Sequence, residues 1–518
     1  MQQFVFPAFG ETDYSETREN NTARVFVLHN AEVASFDAYC HMLKQMNYIP
    51  REHYMREGHS FAAYEKDGEG LFLNYFHAVR ELYIVAEENC RYFSYTDTSQ
   101  AETVSVQITQ VELEDFGMCY AIRLSDGRFI VIDGGRGFDP DIERLYRCLR
   151  NGTPHSSPII AMWILTHPHS DHFHGFMSFM ERYGAEVTVE KFLLNFPEPT
   201  DTKHYPKLAH QDPRFTDTAE VIRIPLMYEY IKKTGAPVYM AHTGQKYTVG
   251  DANCEILACM DDTIHWSDNI NATSLVIRME LAGQVILWAT DAAFSIARLP
   301  EKHGTYLKAD ILQIPHHGFQ SGNPDSEIQG YKLIQPQVCL LPVSAFNAYT
   351  AFSAFRKGTE YLMTQADIEE LIPGTPQRTI TLPYTPPSTA KREVERSYQA
   401  GHAAAGACVW YFSELSTDRP EDLTFTVLNT THAPTTVWID LFFKHSEQNL
   451  RHIKLSMKAC QMRRICIVGD EVEGDALYFN WMSLKERGLP NSSPFTVRFR
   501  SDIPILVSHK EHAATYWT

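Results

Sequence analysis

The sequence predicts an α/β protein, in which a layered α/β domain lies between a small N-terminal α+β domain and a C-terminal β-sandwich. Three observations predict it. From about residue 101 to 385, short apolar runs alternate with helical periodicities, and polar clusters follow directly where several of those runs stop. Before residue 100, the patterns read strand, helix and three strands. After residue 405, about seven strand-like runs recur with no helical period.

Taken in order, the first twenty or so residues are polar and read as a loose arm. Arg24 to Leu28 reads as a strand, and Phe36, Tyr39, Leu43 and Met46 mark one face of a helix that Asn47 and Pro50 end. Phe61 to Tyr64, Gly70 to Phe76 and Glu81 to Ala86 complete a βαβββ domain over residues 1–100, with no ligand cluster in it. Its Tyr-rich and Phe-rich runs read as core faces.

The central domain, residues 101–385, opens with strands at Val104 to Leu113, Met118 to Leu124 and Phe129 to Ile132, with Asp126-Gly127 as a hairpin turn. Asp133-Gly134-Gly135 stops the third strand. Asp139-Pro140 opens a helix carrying Ile142, Leu145, Tyr146 and Leu149. Ala161 to Leu165 is a buried strand, and Phe173 to Tyr183 the next helix. Pro197 to Val221, rich in Pro, Asp, Thr and His, reads as an insertion or lid, and with the region Asn347 to Phe355 it is expected to wall the pocket. Strands resume at Val238 to Ala241, Cys254 to Cys259, Thr273 to Leu281, Val285 to Ala289, Ile311 to Ile314 and Gln337 to Pro342. Residues 386–405 read as a linker and 406–518 as the sandwich.

Composition narrows the function classes. A formal charge of −18 makes nucleic acid the less expected substrate, because neutralising phosphates supplies most non-specific affinity for it. The basic pairs Lys391-Arg392 and Arg463-Arg464 read as solvated surface. Phe129 to Ile132 and Val285 to Ala289, among the longest apolar runs, are far too short to cross a bilayer, so no membrane partner is expected. The start, Met1-Gln-Gln-Phe-Val-Phe-Pro, shows no secretory signal, and the ten cysteines lack Cys-x-x-Cys spacing. A cytoplasmic location with reduced thiols is expected. No Gly-rich phosphate loop or dinucleotide fingerprint occurs. Nothing in the sequence sets the oligomeric state.

The chemistry is concentrated at Thr166-His167-Pro168-His169-Ser170-Asp171-His172, directly after an apolar strand. Imidazole nitrogen and carboxylate oxygen are the ligand atoms that zinc and related first-row metals prefer. Three more pieces end apolar strands: Asp133-Gly134-Gly135, Asp291 after Gln284-Val-Ile-Leu-Trp-Ala-Thr, and Pro315-His316-His317-Gly318 after Ala309-Asp-Ile-Leu-Gln-Ile. Strand ends on one edge of a layered α/β fold converge on the functional crevice.

Over residues 101 to 385 this series resembles the metallo-β-lactamase superfold. The likeness is closer to the hydrolase domain of ComEC-type competence proteins and to phosphorylcholine esterases. These combine an Asn-x-x-Ser-Leu-Val strand, a strand-ending Asp and a His-His-Gly turn, here Asn271-Ala-Thr-Ser274-Leu-Val, Asp291 and His316-His317-Gly318. The resemblance implies an αββα sandwich with two divalent metal ions, zinc by first expectation, with manganese or iron as alternatives. His167 and His169 would bind the first metal; Asp171, His172 and His317 the second; Asp291 would bridge them. Two cations about 3.5–4 Å apart lower the pKa of a shared water and stabilise charge on the attacked centre.

The family's third histidine on the first metal is assigned to His265, in Asp262-Thr-Ile-His-Trp, with His242 and His204 as other candidates. The family's glycine pair after the loop reads His174-Gly175; His174 is expected to be a hydrogen-bonded neighbour of the cluster. Asp133 is expected to support the loop from behind the ligands. Of the adjacent histidines, which strand alternation would turn to opposite faces, the resemblance implies that His317, immediately before glycine, is the ligand. His316 is expected at the rim, where it could donate a proton or hydrogen bond to the leaving oxygen, so that Asp171 and His316 are the catalytic candidates beyond simple ligation.

The expected activity is hydrolysis of a small phosphodiester or related ester by metal-activated water. The alternatives are a ComEC-like nuclease, or an iron-dependent oxidoreductase on the same fold, which iron in the purified protein would mark. A non-catalytic binding module is a third, opposed by the intact ligand set.

Overall fold

A computed structural model describes residues 16–19, 23–88, 90, 94–97, 104–114, 117–196, 223–263, 270–320, 322–343, 357–391, 408–418, 423–429, 434–458, 461–467, 478–479, 482–483, 489–490, 493–503, 505–509 and 515–516. The chain divides into two compact units, one running to residue 395 apart from a short excursion, the other taking in residues 396–518.

Two sheets form the heart of the first unit. One is ordered Val238–Met240, Phe192–Leu194, Ile159–Ile164, Phe129–Asp133, Cys119–Arg123, Gln107–Gln110 and Arg378–Thr381, with Thr188–Val189 beside its third strand. The other runs Glu370–Pro373, Val338–Leu341, Ile311–Gln313, Gln284–Trp288, Val276–Leu281, Ala252–Ala258, Lys246–Val249 and Tyr95–Asp97. Alternation sends Ile108, Tyr120, Ile130 and Ile132 from the first and Ile256, Ile277, Met279 and Trp288 from the second into one shared core.

The opposite face of the first sheet, with Val131, Trp163 and Phe192, is covered by the helices Asp139–Gly152, Ser170–Tyr183 and Ile224–Thr234. Each presents an apolar stripe at helical spacing, such as Ile142, Leu145 and Leu149. Pro324–Ile334 and Lys357–Thr364 are helices inserted along the second sheet's parallel half. The layers are therefore helix, sheet, sheet, helix, the αββα order expected.

The N-terminal sheet, ordered Glu16–Glu19, Ala23–Leu28, Glu81–Glu87, Glu69–Phe76, His59–Lys66 and Ile49–Arg56, carries the helix Val33–Gln45 on one face through Phe36, Tyr39 and Leu43. Its other face, with Val25, Phe61, Phe72, Phe76 and Tyr83, forms a second core. It is tied to the central domain by polar contacts: Tyr54 donates to Gly244 O at 2.7 Å, Arg56 pairs with Glu255 at 2.7 Å, and Phe72 stacks on His242 at 4.4 Å. Two strands depart from expectation. Glu16–Glu19 lies in the segment expected as a loose arm, and Ile49–Arg56 starts where Pro50 was to end a helix. Both are edge strands, and an edge tolerates a proline that donates no ladder bond. Tyr95–Asp97, within the expected N-terminal domain, pairs in parallel with Lys246–Val249 of the central domain.

The second unit is a β-sandwich. Val409–Ser416, Thr435–Phe443, Leu450–Met457 and Pro494–Ser501 belong to one sheet; Thr424–Asn429, Met462–Cys466 and Ile505–His509 form the other. Phe412, Val427, Ile439, Ile453, Ile465, Phe499 and Val507 fill the space between them. Arg463, expected on the surface, is buried and donates to Ser456 O at 3.1 Å, while Arg464 is exposed. Among the described residues, no helix is long and apolar enough to cross a membrane.

Candidate metal centre

The cluster is assembled at the C-terminal ends of parallel strands. Phe129–Asp133 and Ile159–Ile164 run in parallel in one sheet; Gln284–Trp288 and Ile311–Gln313 run in parallel in the other. Asp133, the His167–His172 loop, Asp291 and His317 each follow one of these ends, so four stretches far apart in sequence meet at one edge of the sandwich.

The ligand candidates fall into two groups. Asp171, His172, Asp291 and His317 present one ligand atom each, all within 4.8 Å of one another, and so do His167, His169 and Asp291. Asp291 is common to both. Its Oδ2 lies 3.2 Å from His172 Nε2, 3.3 Å from His317 Nε2 and 3.8 Å from His167 Nε2. His317 Nε2 is 3.1 Å from Asp171 Oδ2, and His167 Nε2 is 3.1 Å from His169 Nδ1. All are buried except His169, which is partly exposed.

Behind the cluster, Asp133 accepts three hydrogen bonds: from Thr166 N at 2.8 Å, Thr166 Oγ1 at 2.7 Å and His172 Nδ1 at 2.7 Å. It thereby places the proton of neutral His172 on Nδ1 and turns the Nε2 lone pair to the cluster. Ser170–Tyr183 starts three residues before the expected helix, so Asp171 and His172 ride on its first turn, where a carboxylate suits the helix dipole. This helix is pressed so closely on the Asp133 loop that a Cβ on Gly175 would stand 1.8 Å from Gly134 O. Only glycine fits there.

The His316-His317 pair is not strand-like. His316 (φ 49°), His317 (φ 54°) and Gly318 (φ 78°) are consecutive left-handed residues, and Asp133 (φ 56°) and Thr290 (φ 51°) are left-handed too. Such residues cost about 1–3 kcal/mol each and gather at functional sites. The turn, rather than strand alternation, separates the two imidazoles. His317 enters the cluster, while His316 Nε2 accepts from Asn271 Nδ2 at 3.1 Å.

Electrostatics fit a cation-binding array. Burial opposes charge on Asp171 and Asp291, yet neighbouring histidines hold both well below the usual carboxylate range, so both are ionised. Burial would likewise lower His172, but Asp291, Asp133 and Asp171 outweigh it and hold it well above the ordinary value. Burial and the charge of His172 push His167 well below its ordinary value, towards the neutral state that binds metals. Asp291 Oδ1 is buried with no hydrogen-bond partner among the described residues. Converging imidazole nitrogens, two ionised carboxylates and an orphaned carboxylate oxygen are what divalent metals would satisfy.

Other expectations fare differently. His265, His204, the Pro197 to Val221 segment and the Asn347 to Phe355 region lie outside the described residues. His242 belongs to neither ligand group. It is clamped between Asp261 at 2.6 Å and Glu87 at 3.0 Å, and although burial opposes its charge these carboxylates raise it to about 10. His174, expected to be hydrogen-bonded, has a buried Nε2 with no such partner among the described residues. Burial, with Arg223 and Arg136 nearby, lowers it to about 4. Neither arginine was singled out from sequence as a site residue.

Residues 113–257 match the model of the metallo-beta-lactamase superfamily. No curated protein matches the chain. Three solved structures show local likeness. The Anabaena sensory rhodopsin transducer is 17% identical, with 21% of this chain and 84% of that one covered at a TM-score of 0.16. Thermotoga maritima 1070 is 16% identical, with 22% and 96% covered at 0.14. Zn(2+)-bound PqqB from Methylobacterium extorquens is 8% identical, with 48% and 63% covered at 0.25.

Proposed function

From a chain that carries a metallo-β-lactamase superfamily domain at residues 113–257, we propose a metal-dependent hydrolase that acts on phosphodiester or related ester bonds of small substrates. The observation that carries this reading is the shared Asp291, whose carboxylate belongs at once to a His167–His169 group and to an Asp171–His172–His317 group. Each group would hold one divalent ion. Zinc is the first expectation; manganese and iron also accept imidazole and carboxylate. Bound there, a metal pair supplies a water ionised near neutral pH and positive charge at the attacked centre.

The chain's own residues do the rest. Asp133 fixes the tautomer and orientation of His172 through the 2.7 Å bond to Nδ1. Asn271 donates to His316 Nε2, which leaves the ring proton of neutral His316 on Nδ1, the hydrogen-bond donor proposed for a leaving oxygen. Burial of Asp171, Asp291 and His317 keeps bulk water from competing for them. The preference for phosphodiesters rests on the Asn271-x-x-Ser274 strand and the His316-His317-Gly318 turn; the charge of −18 favours small esters over long nucleic acid.

The test compares the wild type with Asp171→Ala on a chromogenic phosphodiester, beside thioester, lactone and β-lactam substrates. Phosphodiester turnover that disappears in Asp171→Ala is expected. Equal rates in the two proteins, or a preference for β-lactams, would contradict the reading.

A further inference from the structure

We propose that the buried side chain of Gln313 is a positioning residue of the candidate metal centre, which holds the turn carrying Asp291 and the turn carrying His317 at a fixed separation. The proposal rests on the metal-centre reading above; it does not depend on which ester is hydrolysed.

The two ligand candidates leave neighbouring strands. Gln284–Trp288 and Ile311–Gln313 pair in parallel, and the ladder between them ends with Trp288 opposite Gln313. Beyond that pair both segments turn sharply: Thr290 (φ 51°) is left-handed on one side, and His316 (φ 49°) and His317 (φ 54°) on the other. A β-branched residue such as threonine rarely takes that conformation. Backbone groups that leave a ladder inside a protein also need new partners.

Gln313 supplies them. Its Oε1 accepts from Thr290 N at 2.5 Å, and its Nε2 donates to Thr290 O at 3.3 Å and to Ile314 O at 2.7 Å. The side-chain amide thereby pairs with both polar groups of Thr290 and uses both of its own N–H donors. His316 N adds a backbone bond to Thr290 O at 2.9 Å. Gln313 and Thr290 are fully buried, so water does not compete for these groups.

The run of bonds continues to the histidine loop. Thr290 Oγ1 donates to Leu275 O at 2.8 Å, Leu275 N donates to Thr166 O at 3.1 Å, and Thr166 donates to Asp133. Asp291 follows Thr290 directly, and His317 follows His316. A displacement at Gln313 would therefore move these two ligand candidates relative to each other, whereas Asp171 and His172 stand on a helix of their own. Strained residues persist only where their surroundings over-determine them, and the amide of Gln313 is the side chain that ties the two left-handed turns together.

The test uses the full-length protein with cobalt(II) as the probe metal. Chelator competition reads the affinity, ligand-field absorption reads the geometry of the sites, and denaturant unfolding of the metal-free protein reads stability. Wild type should bind cobalt(II). Gln313→Met, of similar length but without an amide, should bind it about tenfold more weakly and with an altered spectrum, the size of effect expected of a group that orients ligands. Gln110 is the control. It is buried too, and its amide bonds Tyr120, Leu341 and Ile372, none of them in a ligand-bearing turn. Gln110→Met should lose folding stability yet keep the wild-type affinity and spectrum. Gln313→Asn, too short to reach both polar groups of Thr290, should weaken binding about threefold, and it decides the matter should Gln313→Met fail to fold. Wild-type affinity and spectrum in the Gln313 variants, or an equal loss in Gln110→Met, would overturn the positioning role. A wild type that binds no cobalt(II) would instead remove the metal-centre reading, and the proposal with it.

Discussion

His172 Nδ1 lies 2.7 Å from Asp133 Oδ2, and this contact turns the other ring nitrogen of His172 to within 3.2 Å of Asp291. Asp133 accepts from Thr166 as well, so one carboxylate sets both the start of the ligand loop and the direction of its last histidine. Asp133→Asn replaces an acceptor for three donors with a group that can itself donate. Metal affinity should fall about 10–100-fold with the fold intact, read by chelator competition. Unchanged affinity would show that the bond does not orient the ligand.

The adjacent histidines should separate by experiment. His317 faces Asp171 at 3.1 Å and Asp291 at 3.3 Å, whereas His316 bonds Asn271. His317→Ala should lose metal and all turnover; His316→Ala should keep the metals and lose turnover by about 10²-fold or more, the range for a general acid–base contribution. Elemental analysis with steady-state rates checks both. Metal loss in His316→Ala with retention in His317→Ala would reverse the assignment.

Gly175→Ala should unfold or severely destabilise the central domain. The new methyl carbon would stand 1.8 Å from Gly134 O, and backbone rather than a flexible side chain must move. A loss of about 3 kcal/mol or more is expected, at the upper end for overpacking, measured by denaturant unfolding. A variant within about 1 kcal/mol of wild type would mean that the loop and helix are not rigidly apposed.

The sandwich carries its own acid sensitivity. Asp440 is buried, which opposes its charge, but Arg500 at 2.8 Å and Arg498 at 3.0 Å lower it from 3.8 to about 2. A depressed carboxylate stabilises the fold above its unfolded pKa, and that stability is lost as pH falls through the folded value. About 2 kcal/mol should therefore disappear from the sandwich transition between about pH 4 and pH 2. Denaturant unfolding of the full chain across that window should show it; a flat profile would contradict the pairing.

Much of the candidate metal centre was legible because its ligand candidates cluster in short motifs at the ends of apolar strands, and strand ends of one fold edge meet in space. His167, His169, Asp171, His172, Asp291 and His317 are grouped by the sequence alone, and the fold brings them together. Three features escaped. The strand Ile49–Arg56 was hidden by Pro50 and by a largely polar, exposed composition, both allowed because it pairs on one side only. Arg378–Thr381 joins Gln107–Gln110 across a long stretch of chain, a pairing that no local period encodes. The left-handed turn at His316–Gly318 is a backbone property that residue types other than glycine do not announce.

The most direct test of the central claim, that Asp291 joins two ligand groups into one centre, is the metal-to-chain ratio of the purified, metal-replete protein, measured beside Asp291→Ala. The account predicts up to two transition-metal ions per wild-type chain and a collapse of both sites in the variant. A metal-replete wild type that holds none, or an Asp291→Ala protein that retains the full complement, would contradict it.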